Sequence, residues 1–141
     1  MPENILERLG ALAALLTDEP QVVFAYIFGG LLRERNHPPQ SPPRRGLRGG
    51  IDIAVYVKDV RKLDYLRLYG RITEAVGTDE VDLVILNDAP ISLAGRILQN
   101  RKVLVDKEPF FRHKYESLAL RQFHDFRLKE KDILRRRYGI G

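Results

Sequence analysis

The chain has 141 residues, of which 44% are hydrophobic and 30% are charged, and its formal net charge is +5. A chain of this length buries enough surface to hold one hydrophobic core without a disulfide or a metal clip. It contains no cysteine, which excludes disulfides, thiolate zinc sites and cysteine nucleophiles, and fits a reducing cytoplasm.

Membrane insertion and secretion are not indicated by the sequence. No apolar run approaches the roughly 20 residues that a membrane span requires, and the N-terminal MPENILERLG lacks the pattern of a signal peptide. We therefore expect a cytoplasmic protein with no membrane partner. The positive charge permits an acidic partner such as a nucleotide or nucleic acid. Because charges of both signs are interspersed, an ordinary solvated surface is the simpler explanation.

The first half of the chain predicts a helix followed by two strands that are separated by a loop. Apolar residues recur at helical spacing over 2–17, and 22–28 is rich in β-branched and aromatic residues, which is typical of a strand buried on both faces. Residues 36–50 contain four prolines and three glycines and predict an inserted flexible loop. Alternation over 51–57 predicts the second strand, with its larger aliphatic residues toward the core and Asp52 on the other face.

A helix and a third strand are predicted next. Asp59 is a candidate cap for this helix, whose apolar stripe includes Leu66 and which ends at Gly77. Its length suits a crossover between neighbouring strands. The third strand covers 81–86 and carries one carboxylate, Asp82, on the same face as two apolar residues.

A further helix and strand complete the predicted sheet. Asn87 or Asp88 is expected to cap a helix whose first turn contains Pro90. A short fourth strand over 102–105 follows that helix. The order of elements therefore predicts an α/β or α+β domain in which a small sheet of about four strands is flanked by helices.

From residue 109 onward the sequence predicts only helix. Aromatic and aliphatic residues lie among many charges, which indicates one long helix or two shorter ones, ending in an arginine run at 135–137. This tail either folds back to complete the core or leaves an apolar stripe for another chain. The three histidines are too scattered to form a metal site, and they are His37, His113 and His124.

Four segments, FGG, GIDIAV, VDLVILNDAP and RKVLVD, follow one another over residues 20–106. In order and spacing they resemble the minimal nucleotidyltransferase family, within the DNA polymerase β-like superfamily. Members have a strand ending in Gly-Ser, a second strand that opens with Asp-x-Asp, and a third strand with one more acidic residue. The resemblance implies a nucleotidyltransferase fold with a mixed sheet over 1–106, interrupted by the loop at 36–50. A C-terminal helical extension over 107–141 then belongs to the same domain or binds a partner.

The motif of this family suits a nucleoside triphosphate that is bound with Mg²⁺. Mg²⁺ prefers carboxylate oxygens, and alternate residues of a strand place two carboxylates on one face. The Gly-Ser turn brings backbone N–H groups and a hydroxyl close to the phosphates. Gly29 matches the family glycine, Asp52 the second aspartate, and Asp82 the acidic residue of the third strand. Gly30 and Gly50 stand where the family has the serine and the first aspartate.

By this resemblance, Gly29 and Gly30 bind the nucleotide, while Asp52 and Asp82 bind the metal and carry the catalysis. Mg²⁺ and ATP are the implied cofactors. Two carboxylates hold Mg²⁺ less well than three, so we expect a degenerate site with weakened or lost transfer activity.

Other carboxylates and two arginines leave the interpretation of this site open. Glu34, Asp79 or Glu80 is a candidate to supply the missing oxygen, in which case the protein is an active enzyme. Alternatively, the two aspartates are ordinary strand-edge carboxylates that pair with Arg33 or Arg48.

Small proteins of this family are often the antitoxin of a pair with a HEPN-domain toxin, which is a ribonuclease. The resemblance implies that this chain binds such a toxin and can transfer AMP from ATP to a tyrosine on it. With a degenerate site, partner binding is the property we expect to persist. The alternatives are an active Mg-dependent nucleotidyltransferase and a basic nucleic-acid-binding module that uses arginines such as Arg44, Arg45 and Arg48. Pairing with a second copy of the chain stays open.

Overall fold

The computed structural model describes residues 5–29 and 50–139 of the chain. It confirms the expected fold, a mixed four-stranded sheet flanked by helices and followed by a C-terminal helix. The helices and strands are α1 (Ile5–Asp18), β1 (Val22–Phe28), β2 (Ile51–Val57), α2 (Tyr65–Val76), β3 (Val81–Ile85), α3 (Ile91–Gln99), β4 (Arg101–Asp106) and α4 (Pro109–Tyr138).

The strand order in the sheet is β3-β2-β1-β4. Strand β1 is antiparallel to both β2 and β4, whereas β2 and β3 are parallel. A parallel pair needs a crossover connection, and α2 supplies it, as its length predicted. The observed β1 and β2 have the predicted bounds, β3 ends one residue earlier than predicted, and β4 is one residue longer at each end.

Each face of the sheet packs against its own pair of helices. The larger aliphatic residues of β2 are buried with side chains of α1 and α2, as predicted; this first core includes Ile51, Ile53, Val55, Leu12, Leu16, Leu68 and Ile72. The opposite face carries the second core, which includes Phe24, Tyr26, Ala54, Ile97, Leu98 and Ala119. Asp52 and Asp82 belong to this second face because side chains alternate along a strand.

The start of α2 differs from the prediction. Asp59 caps only the short 3-10 turn Val60–Lys62, and Asp64 is the residue that caps α2, accepting a hydrogen bond from the backbone N–H of Arg67 at 3.1 Å. The helix therefore begins later, and Leu66, predicted to lie on the apolar stripe, is 78% exposed. The predicted end at Gly77 is confirmed, since this glycine adopts the left-handed conformation with φ of 78°.

The prediction that Asn87 or Asp88 caps α3 is wrong. The side chain of Asn87 instead binds the backbone of Val57 at the end of β2, with its Oδ1 2.9 Å from the N–H and its Nδ2 2.8 Å from the carbonyl oxygen. Pro90 takes the capping position itself, so it precedes the first turn of α3. The amide of Asn87 thus continues the hydrogen bonding of β2 where the neighbouring strand has ended.

The tail is one helix of 30 residues, and its N-terminal part completes the second core. Phe123 of α4 lies directly against Gly95 of α3, where a Cβ would collide with the phenylalanine ring. Beyond this contact the helix exposes large apolar side chains, among them Leu128, Ile133 and Tyr138. The first part of the tail therefore folds back onto the core, as one of the two alternatives predicted. In the rest of the helix, apolar residues stay uncovered by the described part of the chain.

A buried carboxylate fixes α4 to the sheet. Glu116 Oε2 accepts hydrogen bonds from Tyr26 Oη at 2.6 Å and Arg112 Nη1 at 2.8 Å, and Arg101 Nη2 lies 3.0 Å away. Burial disfavours the charged form, but the donors from Tyr26 and Arg112 and the charge of Arg101 outweigh it and lower the pKa of Glu116. The helix is thereby held by a charge-assisted network as well as by apolar packing.

Candidate active site

Asp52 and Asp82, both predicted as site residues, lie side by side in the structure. They are directly opposite each other in the parallel register of β2 and β3. Neighbouring strands are about 4.8 Å apart, and opposite residues point to the same face of a sheet. Asp52 is half-buried and Asp82 is exposed. The fold therefore places the two carboxylates next to each other on one face of the sheet.

Gly29, the third predicted site residue, follows β1 directly and lies against Asp52. Its φ is 76°, a conformation that disfavours residues with a Cβ. A Cβ on Gly29 would lie 3.2 Å from Asp52 Cγ and would overlap the carboxylate oxygen Oδ2. Glycine thus satisfies two requirements here, the left-handed turn and the close approach of the carboxylate. Gly30, the fourth predicted site residue, lies outside the described residues.

An open cleft of about 430 Å³ adjoins the two carboxylates. Its walls come from all three strands of this half of the sheet and from α2 and α3; the lining residues are Phe28, Asp52, Tyr65, Val81, Asp82, Leu83, Val84 and Leu93. The cleft has a mixed character, with acidic groups at one position and apolar or aromatic groups around them. It is therefore suited to a ligand that combines a charged and a nonpolar part.

Gly50, predicted to stand at the family's first carboxylate position, has no side chain. It precedes β2, is buried, and stands two residues before Asp52, so that a side chain there would share the face of Asp52. The N–H of Ile51 donates to the carbonyl oxygen of Glu80 at 3.0 Å, which places Glu80 beside Gly50 at the start of β3. Of the alternative carboxylates, Glu34 lies outside the described residues, and so do the arginines Arg33 and Arg48.

The donor set decides which metal arrangement fits the cleft. Over 5–29 and 50–139, no three acidic, histidine or cysteine side chains come together as a metal-binding group. Mg²⁺ is commonly held by one or two carboxylates, with substrate phosphates and water in its remaining positions. Asp52 and Asp82 fit one Mg²⁺ of this kind.

Tyr65 is a lining residue that the sequence did not single out. Its hydroxyl donates to the carbonyl oxygen of Leu83 at 2.9 Å, and its ring stacks on Tyr69 with centroids 6.3 Å apart and an interplanar angle of 11°. Burial, followed by the neighbouring Tyr69 and Asp82, raises the pKa of Tyr65. A signal was present in the sequence, since the two tyrosines stand four residues apart on a predicted helix, where their rings are neighbours.

The histidines of the described chain do not join this site. His113 and His124 both lie on α4, which contributes no residue to the lining of the cleft. His37 is outside the described residues.

A glycine turn after β1 and paired carboxylates on parallel strands define a nucleotidyltransferase-type domain. The chain belongs to the polymerase beta nucleotidyltransferase family, whose model matches residues 11–110. The resemblance inferred from the sequence is thereby confirmed at the level of the superfamily. A search of curated proteins finds no match to the chain.

Solved structures with the same fold include toxin–antitoxin complexes. One, of tri-AMPylated Shewanella oneidensis HEPN toxin with MNT antitoxin, has a TM-score of 0.65 and 21% identity, over 90% of this chain and 92% of that chain. A toxin–antitoxin structure with AMP-PNP has a TM-score of 0.61 and 22% identity, over 90% of this chain and 92% of that chain. The MntA–HepT complex has a TM-score of 0.58 and 21% identity, over 91% of each chain. The chain is thus similar in fold to MNT antitoxins.

Within the described part of the chain, no helix is both long enough and apolar enough to cross a bilayer.

Proposed function

We propose that this chain is the antitoxin partner of a HEPN-type ribonuclease toxin, and that its nucleotidyl transfer activity is weakened or lost. One observation carries the degenerate part of the proposal. Asp52 lies against Gly29 and opposite Asp82, but the position that should complete the pair is Gly50, which has no side chain.

In this proposal the cleft keeps a limited capacity for a nucleotide. Asp52 and Asp82 hold one Mg²⁺, which neutralises charge on the phosphates of ATP, and the turn at Gly29 and Gly30 receives those phosphates. Transfer would need the transition state to be stabilised by a further ligand. Each 1.4 kcal/mol of lost stabilisation slows the reaction about tenfold, so that one missing carboxylate is enough to make transfer slow.

Partner binding is assigned to the C-terminal extension, 107–141, rather than to the nucleotidyltransferase-like part, 1–106. A helix of 30 residues is about 45 Å long, whereas α3, with 9 residues, is about 14 Å long. The uncovered part exposes Leu128, Ile133 and Tyr138 and ends in three arginines. This mixture suits an interface with an apolar centre and an acidic rim on the partner. Structures of similar fold contain a HEPN toxin with an MNT antitoxin, which supports this class of partner.

The test is to combine the chain with a candidate HEPN protein. Calorimetry measures binding of the partner and of ATP with Mg²⁺, and mass spectrometry measures AMP transfer to the partner. We expect tight partner binding and little or no transfer. Robust transfer that is abolished in Asp52→Ala but retained in Asp88→Asn would contradict the degenerate site. Asp88 is the control because it is exposed and does not line the cleft.

A second candidate, an active nucleotidyltransferase, is favoured by the position of Glu80. This residue stands beside Gly50 and two residues before Asp82, on the side of β3 where the missing oxygen would be needed. If Glu80 replaces the lost aspartate, Glu80→Gln removes transfer, whereas Asp88→Asn leaves it unchanged. Activity that survives in Glu80→Gln and also in Glu34→Ala would count against this candidate.

A further inference from the structure

Two tyrosines of α2 form a rigid aromatic pair at the outer side of β3. The ring of Tyr65 stacks on Tyr69, and both hydroxyls are engaged, Tyr65 with the carbonyl oxygen of Leu83 at 2.9 Å and Tyr69 with that of Asp79 at 3.1 Å. A ring held at its hydroxyl and against a second ring has lost most of its rotational freedom before any ligand arrives. Tyr65 nevertheless remains 40% exposed.

The aromatic pair adjoins the carboxylates of the candidate site. Tyr65 lines the same cleft as Asp52 and Asp82. Its anchor, Leu83, follows Asp82 in the chain, and Asp82 is opposite Asp52 in the register of β2 and β3. From β2 toward the outer strand β3, the side chains that line the cleft are therefore Asp52, then Asp82, then the ring of Tyr65.

A purely structural role explains part of this arrangement. β3 is the terminal strand of the described sheet, and the tyrosine hydroxyls bind a carbonyl oxygen of that strand and one just before it, which protects an open edge. Edge protection explains why the hydroxyl of Tyr65 binds the backbone of β3. It does not account for an exposed, immobilised ring that forms a wall of the cleft beside two acidic residues.

We propose that Tyr65 is the base-binding residue of this cleft, and that its exposed ring stacks on the nucleobase of a nucleoside triphosphate. The proposal rests on the nucleotide site proposed above, because the phosphates would lie at Gly29, Asp52 and Asp82. Stacking uses the flat face that every base has, so it discriminates weakly among bases. The cleft should consequently bind ATP and GTP with similar affinity.

The experiment compares ATP with inorganic tripolyphosphate, both in the presence of Mg²⁺, by calorimetry. Loss of one stack between a base and an aromatic ring weakens binding by roughly five- to 150-fold. We expect Tyr65→Leu to weaken ATP binding within this range and to leave tripolyphosphate binding unchanged. Tyr65→Phe, which keeps the ring, should bind ATP nearly as the wild type does. Leu66→Ala is the control, since Leu66 follows Tyr65 on α2, is exposed and does not line the cleft.

A second readout remains valid if Tyr65→Leu does not fold. The chain has no tryptophan, so Tyr65→Trp introduces a single fluorophore at the proposed stack. ATP should quench its emission, whereas tripolyphosphate should leave it unchanged. Equal responses to the two ligands would overturn the assignment of Tyr65.

The possible failures are distinguishable. If the wild type binds ATP but Tyr65→Leu binds it equally well, the base-binding role is wrong and the nucleotide site persists. If Tyr65→Leu loses both ligands while remaining folded, Tyr65 supports the cleft without binding the base, which also refutes the inference. If the wild type binds neither ligand, the nucleotide site itself is wrong.

Discussion

The contact between Gly29 and Asp52 allows a sharp test of how the candidate site is built. Gly29→Ala adds one methyl group at a residue with φ of 76°, where it would overlap the carboxylate of Asp52. Gly77→Ala is a matched control, because Gly77 has φ of 78° and no heavy atom lies within 4 Å of the place that its methyl group would take. Both substitutions carry the conformational penalty, and only the first also carries the collision.

The expected magnitudes follow from these two contributions. A left-handed conformation costs an L residue about 1–2 kcal/mol, which is the whole effect expected for Gly77→Ala. Forcing an extra methyl group into a filled space costs about 1–3 kcal/mol more, so Gly29→Ala should destabilise the fold by about 2–5 kcal/mol. Urea unfolding with linear extrapolation measures both values.

A double-mutant cycle then isolates the collision from the conformational penalty. Asp52→Ala removes Oδ2 and Cγ and leaves only Cβ, 3.4 Å from the added methyl group, which is ordinary van der Waals contact. Gly29→Ala should therefore become about as mild as Gly77→Ala in that background, with a coupling energy of roughly 1–3 kcal/mol. Equal effects of the two glycine substitutions in the wild type, or no coupling to Asp52, would refute this account of the turn.

Two further predictions concern the attachment of α4. Gly95→Ala should destabilise the protein because its methyl group collides with the ring of Phe123. Gly70 lies in open space within α2, so Gly70→Ala should stabilise the protein by about 0.5–1 kcal/mol. Equal effects of the two substitutions in urea unfolding would contradict the packing of Phe123 on Gly95. The pKa of Glu116 is lowered on folding from 4.5, so its carboxylate stabilises the fold above that pH, and this contribution is lost as pH falls through the lower folded pKa. The stability advantage of the wild type over Glu116→Gln should therefore be complete at pH 6 to 7 and shrink below about pH 4.5; a difference that is independent of pH would refute the charged network.

The strands were predictable because their signals are local. β1 is rich in β-branched and aromatic residues, and β2 alternates larger aliphatic residues with others. Both are bounded by glycine or a polar residue, and both appear at the predicted residues. The pairing of Asp52 with Asp82 followed from the alternation of side chains along a strand together with the family resemblance. Which face of the sheet they occupy also followed, since a slip of one residue would have turned the aliphatic set of β2 away from the core.

Other features escaped prediction because they depend on distant partners. Asp59, Asp64 and Asn87 are all competent capping residues, and the sequence does not say which backbone N–H groups will be left unpaired after folding. Asn87 instead binds the backbone of Val57, which is 30 residues away in the chain. The hydrogen bond between Tyr26 and Glu116 joins residues 90 positions apart, so no local sequence pattern predicts it.

The same geometry decides which carboxylate gives the clearer evidence of metal binding. Asp52 is packed against Gly29, so replacing it changes the turn as well as the charge, and a loss of nucleotide affinity would have two explanations. Asp82 is exposed on the outer strand, and Asp82→Asn keeps its shape while removing its charge. If the pair holds Mg²⁺, Asp82→Asn should abolish the Mg²⁺ dependence of ATP binding in calorimetry while leaving the urea midpoint unchanged. ATP binding that keeps its full Mg²⁺ dependence in this variant would place the metal away from β3, and Asp82 would then be an ordinary surface residue of the outer strand.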